Sequence, residues 1–552
     1  MNLRGGFEML ATAPDGVARI RELILSLAVQ GKLVPQDPKD PKDEHAPAPQ
    51  IRRAKPLAPI VAEEKPFDLP ERWQFVRLGA VLEMVNGRAF KSSEWCSEGL
   101  PIVRIQNLNN PNAAFNYCNP QGVDQRHIIS DGDLLISWSG TPGTSFGAFV
   151  WDRGAAALNQ HIFKCIQAGS AYVKSFLRLA INSQLHVLIS RAQGGVGLQH
   201  VTKGTLENLV LVLPPVAEQV RIVAKVDELM RLCDELETRG RLEGERHSQL
   251  TATLFEALTA SESAHELGEN WSRVAAHFDL LLDRPEAVDA LERTILELAV
   301  RGLLLPVDDR NGTTTANSIA QVDRATDASL NVGSYEIPSS WSWIKFGEIM
   351  RDLRYGTSAK CDYEVKGVPV LRIPNLKNGR ISTEDLKFGP LTTEEVARLA
   401  LVPGDLLLVR SNGSATLVGS AALVGEESRD FAFAGYLMRV RLRKDVALPT
   451  YVLLALETEG VRAQIEGPIR TTSGVKNINS TEVSRLEFPL PPLNVQQRVV
   501  AHVDKLRLLC SNMREQLVAC HAAQAYFAEA LVDAVTSDVS FPTSADGLVA
   551  AA

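Results

Sequence analysis

The sequence predicts an α+β fold built in duplicate: two homologous α/β globular domains, separated by long helices that pair as an antiparallel coiled coil, with an internal pseudo-twofold repeat. Three observations predict it. Several blocks recur in the same order in the two halves of the chain. Two long runs place apolar residues at three-and-four spacing, as amphipathic helices do. Between them lie short apolar runs punctuated by Gly, Pro and Asn, the signature of strands and turns.

The repeat starts with Ile20–Asp37 (IRELILSLAVQGKLVPQD), which returns as Leu291–Asp308 (LERTILELAVRGLLLPVD) at a shift of 271 residues. Leu69-Pro70-x-x-Trp73 returns as Ile337-Pro338-x-x-Trp341, and GLPIVRIQNL (99–108) as GVPVLRIPNL (367–376), both shifted by 268, with six of the latter ten positions identical. Gly132-Asp133-Leu134-Leu135-Ile136 matches Gly404-Asp405-Leu406-Leu407-Leu408 at 272. Leu213–Cys233 matches Leu490–Cys510 at 277, with 12 of 21 positions identical. The drift in the shift places length differences in surface segments between the blocks, where loops tolerate them.

Each half then reads in order. Ile20, Leu23, Ile24, Leu27 and Ala28 predict an amphipathic helix within 14–34, stopped by Gly31 and Pro35, and 285–304 repeats it. The Pro- and charge-rich stretch that follows cannot bury enough apolar surface to offset chain entropy, so 1–66 is read as helix plus linker. Residues 67–213 form the first globular domain, with a helical stretch near 172–190, and 336–490 the second, with one near 450–466. Residues 263–335 hold the repeated short helix and a second linker. Ile222, Val226, Leu229, Cys233 and Leu236 mark a central long helix at 214–262, and Val499, Val503, Leu506, Cys510 and Met513 a C-terminal one at 491–536, with a flexible tail at 537–552. Proline suits the first turn of a helix, where its missing N–H has no partner to lose, so the Pro-Pro pairs mark the domain-to-helix junctions.

Composition narrows the function. The chain has 552 residues, 45% apolar and 22% charged, which fits several globular cores. There is no signal peptide pattern and no run of 18 apolar residues, so the expected compartment is the cytoplasm without a membrane span. Seven cysteines with no Cys-x-x-Cys pair disfavour disulfides and zinc ribbons. A net charge of −8 disfavours indiscriminate nucleic-acid binding. The two domains carry 12 basic against 10 acidic and 20 against 19, leaving −11 on the rest: an acidic helical frame bearing two nearly neutral domains.

Catalytic patterns are missing or weak. No Gly-x4-Gly-Lys-Ser/Thr loop, His-Glu-x-x-His or Gly-x-Ser-x-Gly occurs. The small-residue loop Gly140–Thr144 lacks a lysine and reads as a turn. Asp362, Glu364 and Lys366 resemble part of a nuclease metal site, but Cys96 and Glu98 stand where the first half would need Glu and Lys, so they read as a charged loop.

The AVQGKLVPQDP and AVRGLLLP helices, the LPERW and IPSSW motifs, GLPIVRIQNL and GVPVLRIPNL, GDLLIS and GDLLLV, and the LPPxxxQxRxVxxVD ending of each half together resemble the specificity (S) subunit of type I restriction-modification systems. The resemblance covers nearly the whole chain, twice. It implies a non-catalytic, double-stranded-DNA-binding subunit: each target recognition domain reads one half of a bipartite site, and the paired helices set the half-site spacing and dock two methyltransferase subunits. It further implies N6-adenine methylation with S-adenosylmethionine held by those partners, restriction subunits using ATP and magnesium, and no cofactor or metal in this chain.

Base reading needs paired donors and acceptors, such as Arg for guanine and Asn or Gln for adenine, with Ser, Thr and Lys on phosphates. The DNA-contact candidates in the first domain are Arg88, Lys91, Gln106, Asn107, Ser139, Thr141, Gln160, His161, Gln199, His200 and Lys203. In the second they are Arg354, Tyr355, Lys360, Asn375, Lys377, Arg410, Ser411, Asn412, Tyr436, Thr472, Lys476 and Asn477. Arg104 and Arg372, identical in domains that must read different sequences, are read as structural or phosphate-facing. Gln219, Arg221, Asp227, Gln496, Arg498 and Asp504 are candidates for partner docking or for fixing the helix ends. Two other readings stay open: a scaffold whose domains bind other ligands, and the detached recognition module of a fused restriction-methylation enzyme.

Overall fold

The computed structural model describes residues 10–11, 13–40, 56–110, 112–140, 147–184, 199–305, 335–467, 470–472 and 475–536. The chain divides into two compact units, residues 1–241 with 521–552, and residues 242–520. The division runs through both long helices, Val216–Ala260 and Leu493–Thr536, so each helix contributes to both units. Among the described residues, no helix is long and apolar enough to cross a membrane.

In the first unit, Gln74–Arg77 pairs antiparallel with Val210–Leu213, so the first and last strands of the domain lie side by side and the chain leaves beside where it came in. A four-stranded sheet follows in the order Leu82–Asn86, Ile162–Gln167, Leu134–Ser137, Gly147–Val150. In a second sheet, Leu100–Val103 runs parallel to Ala156–Leu158. The helix Lys174–Asn182 covers the first sheet, with Phe176, Leu177 and Ile181 fully buried. The main core joins this domain to the short helix Gly16–Val29 through Ile20, Ile24 and Ala28, to the start of the first long helix through Ile222, Val226 and Cys233, and to the end of the second through Ala528 and Val532.

The second unit repeats the plan. Ser342–Lys345 pairs with Glu487–Leu490, and Met350–Tyr355, Leu437–Leu442, Leu406–Val409 and Ala421–Leu423 form the matching run of strands, which two short strands extend to six. Val368–Leu371 runs parallel to Ala432–Phe433. The core draws in the short helix Pro285–Val300, the start of the second long helix through Val495, Val499, Val503 and Cys510, and the end of the first through Phe255 and Leu258. In each unit the start of one long helix thus shares a core with the end of the other, which is antiparallel pairing; of the positions that the three-and-four spacing marked, Ile222, Val226, Cys233, Val499, Val503 and Cys510 are buried and Leu229, Leu236, Leu506 and Met513 are half-buried.

One element differs from expectation. Residues read as connecting segment hold the helices Ala264–Ala276 and Phe278–Leu281, capped by Ser263 Oγ accepting from Glu266 N at 3.2 Å and tied down by Asn270 Nδ2 donating to Ala257 O at 3.0 Å. Only a few side chains, such as Val274 and Leu281, enter the core, too few to make a periodic stripe.

The repeated blocks meet one another in space. Gly31 and Gly302 end the short helices at φ 71° and 75°, where the Lys32 and Leu303 N–H groups donate to Leu27 O and Leu298 O in the Schellman pattern. A Cβ on Gly31 would lie 2.6 Å from Pro70 Cγ and 3.1 Å from Trp73, and one on Gly302 2.7 Å from Pro338 Cγ and 3.2 Å from Trp341. The glycine and the Pro-x-x-Trp motif therefore recur together because each leaves room for the other. Gly302→Ala is expected to lower the thermal midpoint of the second unit, since the left-handed conformation alone costs about 1–2 kcal/mol for a residue with a Cβ, and the clash adds to it. An unchanged melting curve would contradict this. The Gly-Asp-Leu-Leu block has a similar basis: Gly132 and Gly404 have φ of 82° and 92°, and Asp133 and Asp405 accept from Ser130 N and Val402 N, both at 2.9 Å, and pair with Lys164 and Arg441.

Candidate nucleic-acid interface

At one edge of each globular domain the backbone builds the same small frame. In the first, Ser139–Gly140 pairs antiparallel with Gln199–His200, Trp138 N donates to His161 O, and Val201 N donates to Trp138 O at 3.0 Å. In the second, Ser411–Asn412 pairs with Asn477 and Lys476, Arg410 N donates to Tyr436 O at 2.7 Å, and Ile478 N donates to Arg410 O at 3.0 Å. A third strand, Arg470–Thr472, extends the second frame. Position by position, Trp138 corresponds to Arg410, Ser139 to Ser411, His161 to Tyr436, Gln199 to Lys476 and His200 to Asn477. The backbone pairing is the same, and apart from the shared serine the residues differ.

Among the described side chains of these frames, Trp138, His161, Arg410, Lys476 and Asn477 are partly exposed and Tyr436 is exposed. Trp138 is stacked on Phe163 with ring centroids 5.7 Å apart and lies against His161 at 5.6 Å, and Gln160 is within hydrogen-bonding distance of the His161 ring at 3.1 Å. Arg88 lies beside them through its backbone bridge to Asn159, although its guanidinium already serves Glu94 and Gly122 O. In the second domain the Arg410 guanidinium lies 4.6 Å over the Tyr355 ring, and its buried Nε has no hydrogen-bond partner. The Tyr355 hydroxyl accepts from Ser480 N at 2.9 Å, which holds the platform in place. Tyr436 is 57% exposed.

The structure places other candidates elsewhere. Lys377 lies on the strand at the opposite edge of the six-stranded sheet from Tyr355 and pairs with Glu384 at 3.0 Å. Arg354 is tied to Asp352, whose carboxyl burial raises but hydrogen bonds from Arg354 and Arg439 bring below the usual range. Lys203 donates to Met84 O at 2.9 Å, and Lys91, Gln106 and Lys360 are exposed on separate segments. Thr141 lies outside the described residues. Trp138 was missed as a candidate; the repeat shift of 272, which sets it opposite Arg410, was the available signal.

Four candidates are corrected. Asn107 and Asn375 are buried, and their amides are spent on their own loops. Each accepts from the N–H of the repeated arginine, Arg104 or Arg372, at 3.0 and 2.8 Å, and donates to carbonyls of Ala113 and Ala114 or of Ser382 and Asp385. They shape turns and present nothing to a base. Gln219 and Gln496 are fully buried rather than on an exposed helix face. Gln219 accepts from Val173 N at 2.7 Å and donates to Ala171 O and Pro214 O; Gln496 does the same with Leu448 N, Val446 O and Pro491 O. Each amide bonds the start of a domain helix to the start of a long helix. Arg221 is held bidentately by Asp40 at 3.0 and 2.7 Å, Arg498 is half-buried, and Asp227 and Asp504 are exposed.

Residues 70–244 match the family described as type I restriction modification DNA specificity domain. Over nearly its whole length the chain is similar to the type I restriction enzyme EcoEI and EcoAI specificity subunits of Escherichia coli, 26% identical in each case over 94% of both chains. Both comparisons make the chain similar to type I restriction-modification specificity subunits. Such a subunit recognises DNA sequence and is not itself catalytic. Among solved structures, this chain is similar to the HsdS subunit from Thermoanaerobacter tengcongensis, at 18% identity and a TM-score of 0.42 over 86% of this chain and 99% of that one. A structure titled for complex assembly and conformational transition of the type I R-M system matches at 18% identity and a TM-score of 0.48, over 85% and 99%.

Proposed function

We propose that each globular domain, 67–213 and 336–490, reads one half of a bipartite DNA site through its edge frame. The observation that carries this reading is the pair of frames with one backbone and two sets of side chains: Trp138, His161, Gln199 and His200 in one domain, and Arg410, Tyr436, Lys476 and Asn477 in the other. Equivalent frames present their side chains alike, and different donors and acceptors then select different bases. The frame residues Arg88, Ser139, Gln160, Tyr355, Ser411, Asn412 and Thr472 complete the two surfaces.

The long helices set the number of unread base pairs between the half-sites and dock two methyltransferase subunits, with Arg221, Asp227, Arg498 and Asp504 near the helix starts. Those subunits bring S-adenosylmethionine and methylate adenine at N6; restriction subunits bring ATP and magnesium; the complex works in the cytoplasm. Flipping and methylating the base belongs to the partners.

Adenine-methylation mapping tests the proposal, in cells expressing the cognate methyltransferase subunit with and without this chain. The expected result is a split motif methylated only when the chain is present. Exchanging the frame residues of one domain for those of the other should alter one half of the motif and leave the spacer unchanged. Unchanged methylation alongside a stable complex would overturn the reading.

A further inference from the structure

The duplication creates a problem of self-recognition. Two similar short helices, Gly16–Val29 and Pro285–Val300, each dock on the start of a similar long helix, and the burial patterns at the two seats are alike. An apolar seam by itself does not tell one seat from the other.

The charges at the seam differ in sign. In the first unit, Arg21 on the short helix pairs with Asp234 and Glu237 on the long helix at 2.6 and 2.7 Å. In the second, Arg514 on the long helix pairs with Asp289 and Glu292 on the short helix at 2.5 and 3.1 Å. The repeat aligns Arg21 with Glu292 at 271 and Glu237 with Arg514 at 277, so the same two positions form the pair in both units with the signs exchanged. Arg507, 3.1 Å from Glu292, makes the second seat more basic, and Met230 stands in its place in the first.

We infer that these sign-inverted pairs are a docking code that keeps each short helix on the long helix of its own half. A short helix on the wrong seat would set Arg21 against Arg514, or Asp289 and Glu292 against Asp234 and Glu237. The groups are partly exposed, with Asp234 70% and Glu237 63% accessible, so each correct pair adds little stability. Discrimination is larger than stabilisation, because the wrong pairing loses an attraction and gains a repulsion. Each globular domain runs directly into its own long helix, so the code acts on the short helix and seats it on the long helix of its own half.

The test refolds the full chain from urea and follows the yield of native monomer by size-exclusion chromatography and thermal melting. R21E/D234R/E237R keeps an ion pair in the first half but gives it the sign of the second. Its native fraction should melt like the parent, while the native yield falls roughly threefold or more as the two seats become equivalent. Adding D289R/E292R/R507M/R514E inverts the second half as well, with residue 507 made apolar as Met230 is in the first; the halves are opposite again, and the yield should be restored. Refolding the parent in 1 M salt, where the Debye length is about 3 Å, should lower its yield towards that of the triple variant, whose own yield stays constant. Parent-like yield of the triple variant, failure of the second inversion to restore it, or a parent yield independent of salt would each overturn the inference.

Discussion

Replacing Gln219 with alanine is expected to destabilise the first unit severely. The side chain is fully buried and bonds three backbone groups: Val173 N, Ala171 O and Pro214 O. Truncation leaves all three without a partner, and each buried unsatisfied group costs about 1–3 kcal/mol. The sum is a large part of the stability of a domain, so the transition of this unit should fall well below that of the other in a calorimetric melt. Gln496→Ala should do the same to the second unit through Leu448 N, Val446 O and Pro491 O. Tyr172 and Tyr451 brace the same junctions, their hydroxyls donating to Val212 O and Pro489 O at 2.7 and 2.8 Å. If Gln219 served partner docking instead, its alanine variant would melt like the parent and lose only methyltransferase binding.

Arg410→Ala carries the largest expected effect on recognition. The guanidinium is held over Tyr355 and has an Nε without a partner, so the substitution removes little internal bonding. An arginine presented in this way matches the O6 and N7 acceptors of guanine, and a bidentate contact contributes about 1–3 kcal/mol of discrimination. Binding of duplexes varied at each position of the methylated motif should therefore show one base position of one half-site relaxed roughly 10–100-fold, with the other half-site and the melting curve unchanged. Equal weakening for all sequences would instead mark Arg410 as a phosphate contact, and loss of the fold would mark it as structural. Arg410→Lys keeps the charge but loses the planar fork, and should relax the same position.

The candidate site was only partly legible, and particular residues show why. Arg410, Tyr436, Lys476 and Asn477 could be named because polar residues in loops after short strands are where binding groups tend to lie. Asn107 and Asn375 come from the same kind of loop and have equally suitable amides. What separates them is a set of carbonyls brought within reach by later residues, at Ala113, Ala114, Ser382 and Asp385. Trp138, between Ser137 and Ser139, lacks the paired donor and acceptor sought for base reading, and only its place opposite Arg410 shows the shared frame. Gln219 and Gln496 recur at the fourth residue after Pro-Pro. Recurrence alone cannot separate an exposed docking surface from a buried clamp, since both demand the same residue twice.

The sequence by itself determined the duplication, the two long amphipathic helices, the α/β character of the intervening domains and the family resemblance, because periodicity and repetition are local properties written along the chain. It also determined that Gly31 and Gly302 belong with the short helices' ends. Only the tertiary structure decided which polar groups are consumed by the fold, as the amides of Asn107, Asn375, Gln219 and Gln496 are. That division depends on burial and on partners tens to hundreds of residues away, such as Arg21 with Asp234 or Arg514 with Asp289. A side chain's hydrogen-bonding capacity is set by its chemistry, but whether any of it remains for a ligand is set by the neighbours that folding supplies.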